Sequence, residues 1–528
     1  LLASTTGIFA ATSPATASAQ NDTAPDAATI RATMKTATQF MVDKVSTHGG
    51  YVWSYLPDFS RRWGELEARP SMIWVQPPGT ATMGHLFMDA WHATGDDLYY
   101  RAAAAATDAL LRGEKPKGGW NYFIDFDGPD STADWYATTG KNAWRMEEFQ
   151  HDWDNATFDD VGTGETMQLI LRMAEAGRDP RYLDAARRSV DFVLASQYDN
   201  GGWPQRWPVQ KPFNHHGHAD YTGYITFNDE VARKNIEFLQ LAYRLLGDER
   251  IPDSIARAMQ VHVATQQPAP QAGWAMQHTL DMRPAAARTY EPLALTTHTT
   301  ADNVRALMAF YRETGDRRFL ARIPEALDWL ESVRLPADQV KNGRAFPTYV
   351  EIGSNRPLYV HRRGSNVVNG EYYSDYDPGN VIGHYGQTRA INLQKLRDEY
   401  TALAALDPAQ VKRDSALESA TRGPLPRYFM QRIGEVSDLN LSANGKTPAE
   451  LVASLNADGY WPTPLVATSH PYHGDGAATP PAGDFRTTRV GDDSDTSPFI
   501  ADTPVIGIST GTYIEHMSRL IEALRVAE

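Results

Sequence analysis

The hydrophobic positions of this chain recur mainly at the three- and four-residue spacing of amphipathic helices. Residues 27–48 show this pattern first and predict a helix. The following block, residues 49–82, is rich in Trp, Pro and Gly, so we interpret it as loop with short strands. After residue 389 the periodicity weakens, although residues 390–405 and 511–526 still predict helices, with Pro- and Gly-rich segments between them.

From Met83 onward one pattern occurs four times: an apolar helix, a turn with Gly and Asp, a second apolar helix, and a loop with Gly and an aromatic residue. The turn glycines are Gly95, Gly177, Gly247 and Gly315, and glycine there is typical of a left-handed helix C-cap. Paired helices bury their apolar faces only by stacking. The repeat therefore predicts an all-α fold, an α/α toroid or barrel of helical hairpins with long loops and short strands at one end. An open right-handed solenoid is the alternative, and the long loops favour the toroid.

Composition narrows the class of protein further. The 528 residues are 42% hydrophobic and 22% charged, which is typical of a globular protein. The net charge of −15, from 65 acidic and 50 basic residues, disfavours nucleic acid as a partner because phosphate binding needs a basic surface. The chain has no cysteine, so disulfides, thiolate metal sites and a cysteine nucleophile are excluded.

The chain termini suggest a division into three parts. Residues 1–19 are small and apolar and end in an Ala-Ser-Ala tripeptide, as at a secretory cleavage site, so we interpret them as a signal-peptide remnant. Residues 20–400 are predicted to form the toroid, and residues 401–528 a C-terminal extension that closes or caps it. We expect a secreted or periplasmic monomer without a membrane span, since no apolar stretch reaches the roughly 18 residues required.

The loop Asn200–Glu230, between two helical segments, holds an unusual number of aromatic and titratable residues. Long loops inside compact domains are commonly functional, so we interpret this one as the rim of a substrate cleft. A loop stapled by its aromatic residues is the simpler alternative. Its three histidines, His215, His216 and His218, are transition-metal ligands or a polar loop tip.

Four short segments precede or open inner helices: TFDD (157–160), ITFNDE (225–230), AARTYE (286–291) and YVEIGSNRP (349–357). An acidic residue just before a helix is an ordinary N-cap, and capping alone would explain the aspartates. It would not explain Arg288 and Arg356, which lie in loops at the same end of consecutive repeats. The set predicts a cation site facing an anion clamp.

These segments resemble a known family. GGWPQRWP, YITFNDE, AARTYEP and YVEIGSNRPLY, in this order, are similar to stretches of the family 10 polysaccharide lyases, the pectate lyases of α/α-toroid fold. The FDD segment with the TGETMQLI that follows resembles that family's Asp-Asn segment at an inner helix. The resemblance covers roughly residues 154–357.

The resemblance implies Ca²⁺-assisted β-elimination of a polyuronate such as polygalacturonate. Arg288 would then be the Brønsted base, and Arg356 would hold a substrate carboxylate as the second catalytic residue. The implied metal ligands are Asp159, Asp160, Asp229 and Glu230. The implied substrate contacts are Trp203, Trp207, Tyr290, Asn355 and Lys341. An arginine base must lose its proton, so activity is expected to rise at alkaline pH.

Two other functions stay open at this point. A glycoside hydrolase on the same fold would use two carboxylates about 5 to 9 Å apart, supplied by Asp159 or Asp160 opposite Asp229 or Glu230. The arginines argue against it, because neutral sugars carry no carboxylate. A non-catalytic glycan-binding protein would use the Trp-rich loops and would not need the Arg/Asp set.

A further aromatic and charged group lies near the N-terminus, in residues 61–80 and 120–128. We interpret it as a packed loop cluster that caps the toroid. Sugar stacking on its tryptophans is the alternative.

Overall fold

The computed structural model describes residues 25–140, 147–210, 219–362, 372–379, 387–413, 423–430, 445–465 and 505–527, with the single positions 381, 415 and 417. Its helices are α1 (Ala27–Phe40), continued by the π-helical turn Met41–Val45, α2 (Thr80–Thr94), α3 (Asp97–Arg112), α4 (Pro129–Thr138), α5 (Glu147–Gln150), α6 (Gly162–Ala176), α7 (Pro180–Ser196), α8 (Val231–Leu246), α9 (Ile251–Ala264), α10 (Thr297–Thr314), α11 (Ile323–Ser332), α12 (Leu393–Ala404), α13 (Pro408–Val411), α14 (Pro448–Ser454) and α15 (Thr510–Ala527). The helices that the periodicity predicts in residues 27–48, 390–405 and 511–526 are confirmed. The predicted signal-peptide remnant and the three loop histidines lie outside the described residues.

The four repeated segments fold as the hairpins α2/α3, α6/α7, α8/α9 and α10/α11. The first helices of neighbouring hairpins pack together, α2 on α6 and α6 on α8, and each second helix packs on the first helix of the next hairpin. Helices α2 and α6 are buried on nearly every side, whereas α3 and α7 keep an exposed face. The first helices therefore form the inner layer, and the predicted α/α toroid is confirmed.

In each hairpin the inner helix ends at a glycine in the left-handed conformation, as the repeat predicts. The φ angles of Gly95, Gly177, Gly247 and Gly315 lie between 66° and 71°, a region that side chains with a Cβ rarely adopt. In each case the glycine N–H donates to a carbonyl in the last turn of the inner helix, which caps it.

Short strands connect the loops at one end of the toroid. They are β1 (Ser54–Tyr55), β2 (Arg62–Trp63), β3 (Glu67–Ala68), β4 (Met72–Trp74), β5 (Phe123–Asp125), β6 (Ala156–Thr157), β7 (Arg206–Trp207), β8 (Ile225–Thr226), β9 (Gln277–His278), β10 (Pro284–Ala285), β11 (Leu295–Thr296), β12 (Phe346–Pro347), β13 (Tyr349–Val350), β14 (Pro357–Arg362), β15 (Tyr372–Asp375), β16 (Thr388–Arg389), β17 (Thr463–Pro464) and β18 (Ile506–Ser509). In every hairpin the strand before the inner helix pairs antiparallel with a strand after the outer helix: β4 with β5, β6 with β7, β8 with β9, and β11 with β13. These ladders hold the N-termini of the inner helices and the long loops together.

The two chain termini complete one further unit of the same kind. Helix α15 packs on α2 as an inner helix and on α1, and strand β18 before α15 pairs with β1, which follows α1. Thr510, the first residue of α15, also bonds to the loop after α1: its Oγ donates to the Val52 carbonyl and its N–H to the Trp53 carbonyl. The C-terminal extension therefore supplies an inner helix to the row of hairpins.

The tryptophans of the Gly-aromatic loops are structural. The indole N–H groups of Trp120, Trp203 and Trp274 each donate to a carbonyl near the end of the preceding outer helix, at 2.7 to 2.9 Å. Trp461 does the same after α14, and all four side chains are buried. A buried indole needs such an acceptor, and here the acceptor is a carbonyl near the C-terminal end of the helix.

Among the described residues, no helix is long and apolar enough to cross a membrane.

Candidate active site

The site begins with two strained turns at the N-termini of inner helices α6 and α8. Asp160 and Val161 have φ angles of 50° and 54°, and Asp229 and Glu230 have φ angles of 49° and 62°. Two consecutive left-handed residues other than glycine cost of order 1–3 kcal/mol each and occur where function requires them. Neither helix receives a side-chain N-cap hydrogen bond. Capping therefore does not explain the aspartates, and the turns aim their carboxylates elsewhere.

Arg288 occupies the centre of this region and is 4% exposed. Its Nε donates to Glu148 at 2.6 Å, its Nη2 to Asp159 at 2.7 Å, and its Nη1 to Glu291 at 2.9 Å. Asp229 lies 3.5 Å from Nη1. One guanidinium thus faces four carboxyl groups, so the buried site has an excess of negative charge.

Neutral donors hold these carboxylates in place. The Tyr122 hydroxyl donates to Asp159 at 2.5 Å and the Tyr221 hydroxyl to Glu148 at 2.8 Å. The Asn228 amide donates to Asp229 at 2.7 Å. Tyr122 lies two residues after the buried Trp120. Trp120 therefore anchors the loop backbone to α3, and Tyr122 reaches the site.

A fifth carboxylate, Asp160, adjoins this cluster. Asp159, Asp160 and Asp229 each offer an oxygen, and these atoms lie within 4.8 Å of one another. We call these three residues the aspartate triad. Asp160 accepts a hydrogen bond at 2.7 Å from Gln76, whose amide also donates to the buried Glu65.

The electrostatics of the triad are uneven. Burial and the adjacent Asp159 carboxylate raise the pKa of Asp229 well above its ordinary value. Burial opposes ionisation of Asp159 as well, but Arg288 and the hydrogen bonds from Asp229 and Tyr122 bring its pKa below the ordinary value. Burial also raises the pKa of Glu291, in spite of Arg288. The site favours a proton or a cation between Asp159 and Asp229, and the second oxygen of Asp159 is buried without a hydrogen-bond partner in the described part of the chain.

The structure brings together four of the residues chosen from the sequence: Asp159, Asp160, Asp229 and Arg288. Glu230 is adjacent in sequence, but its carboxylate forms an ion pair with Arg233 and is 37% exposed. Glu230 therefore stands outside the triad.

The aromatic candidates are placed differently from the expectation. Trp203 is fully buried, with its indole N–H on the Val193 carbonyl, so its expected role as a substrate contact is corrected: its ring offers no face to a ligand. Tyr290 is also buried, with its ring edge against Tyr372 at 5.6 Å. Trp207, in β7, is partly exposed.

The remaining candidates lie on the loop after α11 and on the turn beyond it. Asn355 is committed to the fold, because its Oδ1 accepts hydrogen bonds from Gln271 and Trp329. Arg356 is exposed, with its guanidinium 3.3 Å from the ring centroid of Tyr376. Lys341 lies in an exposed turn, where its backbone forms an isolated β-bridge with that of Arg344.

Sequence reasoning missed several residues of the site. Glu148 precedes the TFDD segment in a stretch with many charges, and no motif distinguishes it there. Glu291 closes the RTYE segment three residues after Arg288, and that spacing was a usable signal. Gln76 and Tyr122 come from the Trp-rich N-terminal blocks, whose tryptophans Trp63, Trp74 and Trp120 are buried, as the packed-cluster interpretation predicts.

A comparison with known protein families matches the part of the chain that holds most of these residues. The family model described as pectic acid lyase matches residues 129–371, slightly less than half of the chain. Those residues include Glu148, the triad, Arg288 and Glu291. No curated protein sequence matches the chain.

Three solved structures show how far the likeness of fold extends. A family 10 polysaccharide lyase from Cellvibrio cellulosa is 17% identical, covering 56% of this chain and 88% of that chain, with a TM-score of 0.39. A cellobiose 2-epimerase from Spirochaeta thermophila is 12% identical, covering 95% and 98%, with a TM-score of 0.40. An α-1,6-mannanase from Salegentibacter is 12% identical, covering 95% and 100%, with a TM-score of 0.38. At these scores the structures carry no argument for function, which rests on the family match. The resemblance seen in the sequence is confirmed by the family model: residues 129–371 are similar to pectic acid lyases.

Proposed function

We propose that the enzyme cleaves a polyuronate of the polygalacturonate type by β-elimination, with Arg288 as the base and a Ca²⁺ ion at the aspartate triad. The observation that carries this proposal is the single buried guanidinium surrounded by four carboxyl groups beside the triad. Such an excess of negative charge is costly unless protons or cations join it.

The donor set fits calcium. The triad offers carboxylate oxygens alone, and Ca²⁺ takes six to eight oxygen ligands, whereas transition-metal sites commonly use His or Cys. Among the described residues the buried Oδ1 of Asp159 has no hydrogen-bond partner, so it can serve as a ligand atom. Asp159, Asp160 and Asp229 would hold the ion, which when bound would neutralise the uronate carboxylate and make the C5 proton acidic.

In the reaction the C5 proton passes to the base, the C5–H electron pair forms the C4=C5 double bond, and the C4–O4 bond breaks. The departing oxygen takes a proton from solvent, and the product carries a 4,5-unsaturated ring. Arg288 accepts the proton as neutral guanidine, and Glu148 and Glu291 then stabilise the guanidinium that results.

The same contacts explain why this base needs alkaline conditions. The carboxylates of Glu148 and Asp159 stabilise the protonated guanidinium, and arginine is protonated in ordinary surroundings. We therefore expect the rate to rise with pH above neutrality. A pH–rate profile with its maximum near pH 5 would contradict an arginine base.

Arg356 fits a substrate clamp. Its guanidinium is exposed and lies on the face of Tyr376, which is 41% exposed. An arginine held flat on an aromatic ring keeps its outer edge free for a bidentate contact with a carboxylate. Arg356→Ala should raise KM on a polyuronate and leave kcat nearly unchanged.

The first test is incubation with polygalacturonate and, separately, with glucuronate polymers, at alkaline pH with Ca²⁺. The measurement is the ultraviolet absorbance of the 4,5-unsaturated product, and polygalacturonate should give the larger signal. Arg288→Ala should abolish it, whereas Arg283→Ala, an exposed arginine paired with Asp281, should not. New reducing ends without the absorbance would indicate the hydrolase instead.

The second test addresses the cation. EDTA should abolish activity, and Ca²⁺ should restore it in the wild type. Asp159→Asn and Asp229→Asn should weaken Ca²⁺ binding measured by calorimetry, whereas Asp97→Asn, an exposed residue paired with Arg178, should not. Equal activity in EDTA and in Ca²⁺ would exclude the ion from the reaction.

The location and the oligomeric state of the enzyme are further parts of this proposal. We propose secretion or a periplasmic location, which residues 1–19 support by composition. Expression of the full gene followed by fractionation of the culture tests it. The monomeric state is tested by light scattering.

A further inference from the structure

We propose that Glu148 is a positioning residue for the elimination: it holds the Nε of Arg288 and thereby directs Nη2 toward the triad as the nitrogen that accepts the proton. This inference rests on the proposed function of Arg288 as the base. It adds a residue that the sequence motifs do not contain.

The contacts of Arg288 divide into two groups. Nε and Nη1 donate to Glu148 and Glu291, which are not members of the triad, and Nη1 also lies 3.5 Å from the triad's Asp229. Nη2 donates to Asp159, which belongs to it. A planar guanidinium fixed at Nε and Nη1 has no remaining rotation, so Nη2 necessarily lies at the triad side.

Glu148 is built to keep one position. Its side chain is fully buried, and its Oε1 accepts from Arg288 at 2.6 Å, from Tyr221 at 2.8 Å and from Gln205 at 3.3 Å. A buried carboxylate is expensive unless it is paired and hydrogen-bonded; these three donors all bind Oε1, while Oε2 is buried without a hydrogen-bond partner among the described residues. Gln205 and Tyr221 come from the loop after α7 and Arg288 from the loop after α9, so Glu148, which follows α4, ties these two loops together around the base.

A positioning role predicts a specific kinetic pattern. Glu148→Gln keeps an oxygen acceptor near Nε but removes the charge that fixes it, so the guanidinium is less well oriented toward C5. A misplacement of a catalytic group by about 1 Å can cost roughly 100-fold in rate. We expect kcat to fall about 10- to 100-fold, with KM within about twofold of the wild-type value, because Glu148 is buried and does not touch the substrate.

The experiment compares Glu148→Gln, Tyr221→Phe and the wild type on polygalacturonate with Ca²⁺. Tyr221→Phe leaves the carboxylate in place and removes one of its donors, so kcat should fall only a few-fold. Glu331→Gln, an exposed carboxylate paired with Arg334, is the matched control and should retain full activity. Circular dichroism and Ca²⁺ calorimetry report whether each variant folds and binds the ion.

The outcomes separate this inference from the proposed function. If the wild type forms no unsaturated product from any polyuronate, the proposed function fails. If the wild type is active and folded Glu148→Gln keeps the wild-type kcat, or raises KM alone, the positioning role fails and the lyase stands. If Glu148→Gln does not fold, Tyr221→Phe decides: an unchanged kcat overturns the inference, and a lower kcat with constant KM supports it.

Discussion

Two buried arginines lie near opposite ends of the inner helices, and their surroundings differ in one respect. Arg172, near the end of α6, is 2% exposed and pairs with Asp89 of α2 at 2.6 Å. The two oxygens of Asp89 also accept the backbone N–H groups of Phe429 and Met430. One positive charge thus meets one negative charge.

Arg288 has a similar exposure but faces four carboxyl groups. The guanidinium of Arg172 also donates to the carbonyls of His85 and Arg427 and lies over the ring of Phe429. Burial alone therefore does not distinguish the two arginines. The balance of charge distinguishes them. The matched pair at Arg172 holds a segment of the chain in the fold, whereas the excess of carboxyl groups at Arg288 favours binding of a cation.

The largest effect should come from Arg288→Lys. Lysine keeps the charge but cannot donate to Glu148, Asp159 and Glu291 at once, and its ammonium is a different acid. Loss of a positioned base costs about 100- to 10,000-fold in rate, so kcat should fall by about three orders of magnitude while the protein stays folded. Arg172→Lys is the comparison and should keep kcat per folded molecule. Equal kinetic losses in the two variants would remove the distinction between the arginines.

Asp89→Asn should have the largest effect on stability. The substitution leaves the Arg172 charge buried without its partner, and breaking a buried pair in this way costs about 3–5 kcal/mol. It also weakens the attachment of residues 427–430, which depends on Asp89. Urea unfolding measures the loss. Asp134→Asn, whose carboxylate is exposed and paired with Arg69, is the control and should change stability by less than about 1 kcal/mol.

The hairpins could be predicted from the sequence because their signals are local. Helical periodicity can be seen within each segment, and a left-handed glycine marks the end of the inner helix in each of the four hairpins. Periodicity predicted both helices of the unit formed by α15 and α1, but their pairing had no local signal, since Thr510 and Val52 are 458 residues apart in the chain. One helix of this unit, α1, lies near the start of the sequence, and the other, α15, lies near its end.

The site was predictable to the extent that it lies on short motifs. Asp159, Asp229 and Arg288 stand in segments with an unusual composition, and the structure joins them. Trp203 was misassigned because residue type does not tell which way a ring faces: an indole suits both a sugar and a helix end. Glu148 was missed because only the folded chain brings it to Arg288, 140 residues away.

Glu165, within the residues 129–371 that match the family model, should make the stability of the protein depend on pH. Burial raises its pKa to about 7 from an ordinary value of 4.5, partly offset by a hydrogen bond from Thr82 and by the charge of Lys234. His85 accompanies it, with its ring 2.9 Å from the Glu165 carbonyl, and burial lowers the pKa of His85 to about 3, so this ring is neutral.

The folded state therefore binds the Glu165 proton more tightly than the unfolded chain does. Its contribution to stability is fully present below about pH 4.5 and declines as the pH rises to about 7. Glu165→Gln should not show that decline, so it should exceed the wild type by up to about 3 kcal/mol above pH 7. Urea unfolding at pH 5 and pH 8 in EDTA gives the difference. A constant difference at the two pH values would show that Glu165 titrates normally.

The smallest expected change in the free energy of unfolding separates the two arginine sites most clearly, because it has the opposite sign to that of Asp89→Asn. Asp229→Asn is the same chemical change as Asp89→Asn, but it removes a carboxylate from a region that has too many. In EDTA at neutral pH it should stabilise the protein by about 1–2 kcal/mol, since repulsion from Asp159 is relieved. With saturating Ca²⁺ the order should reverse, because the wild type gains binding free energy that the variant lacks. If Asp229→Asn destabilises the protein in EDTA as Asp89→Asn does, the charges around Arg288 are already balanced and no cation is needed there.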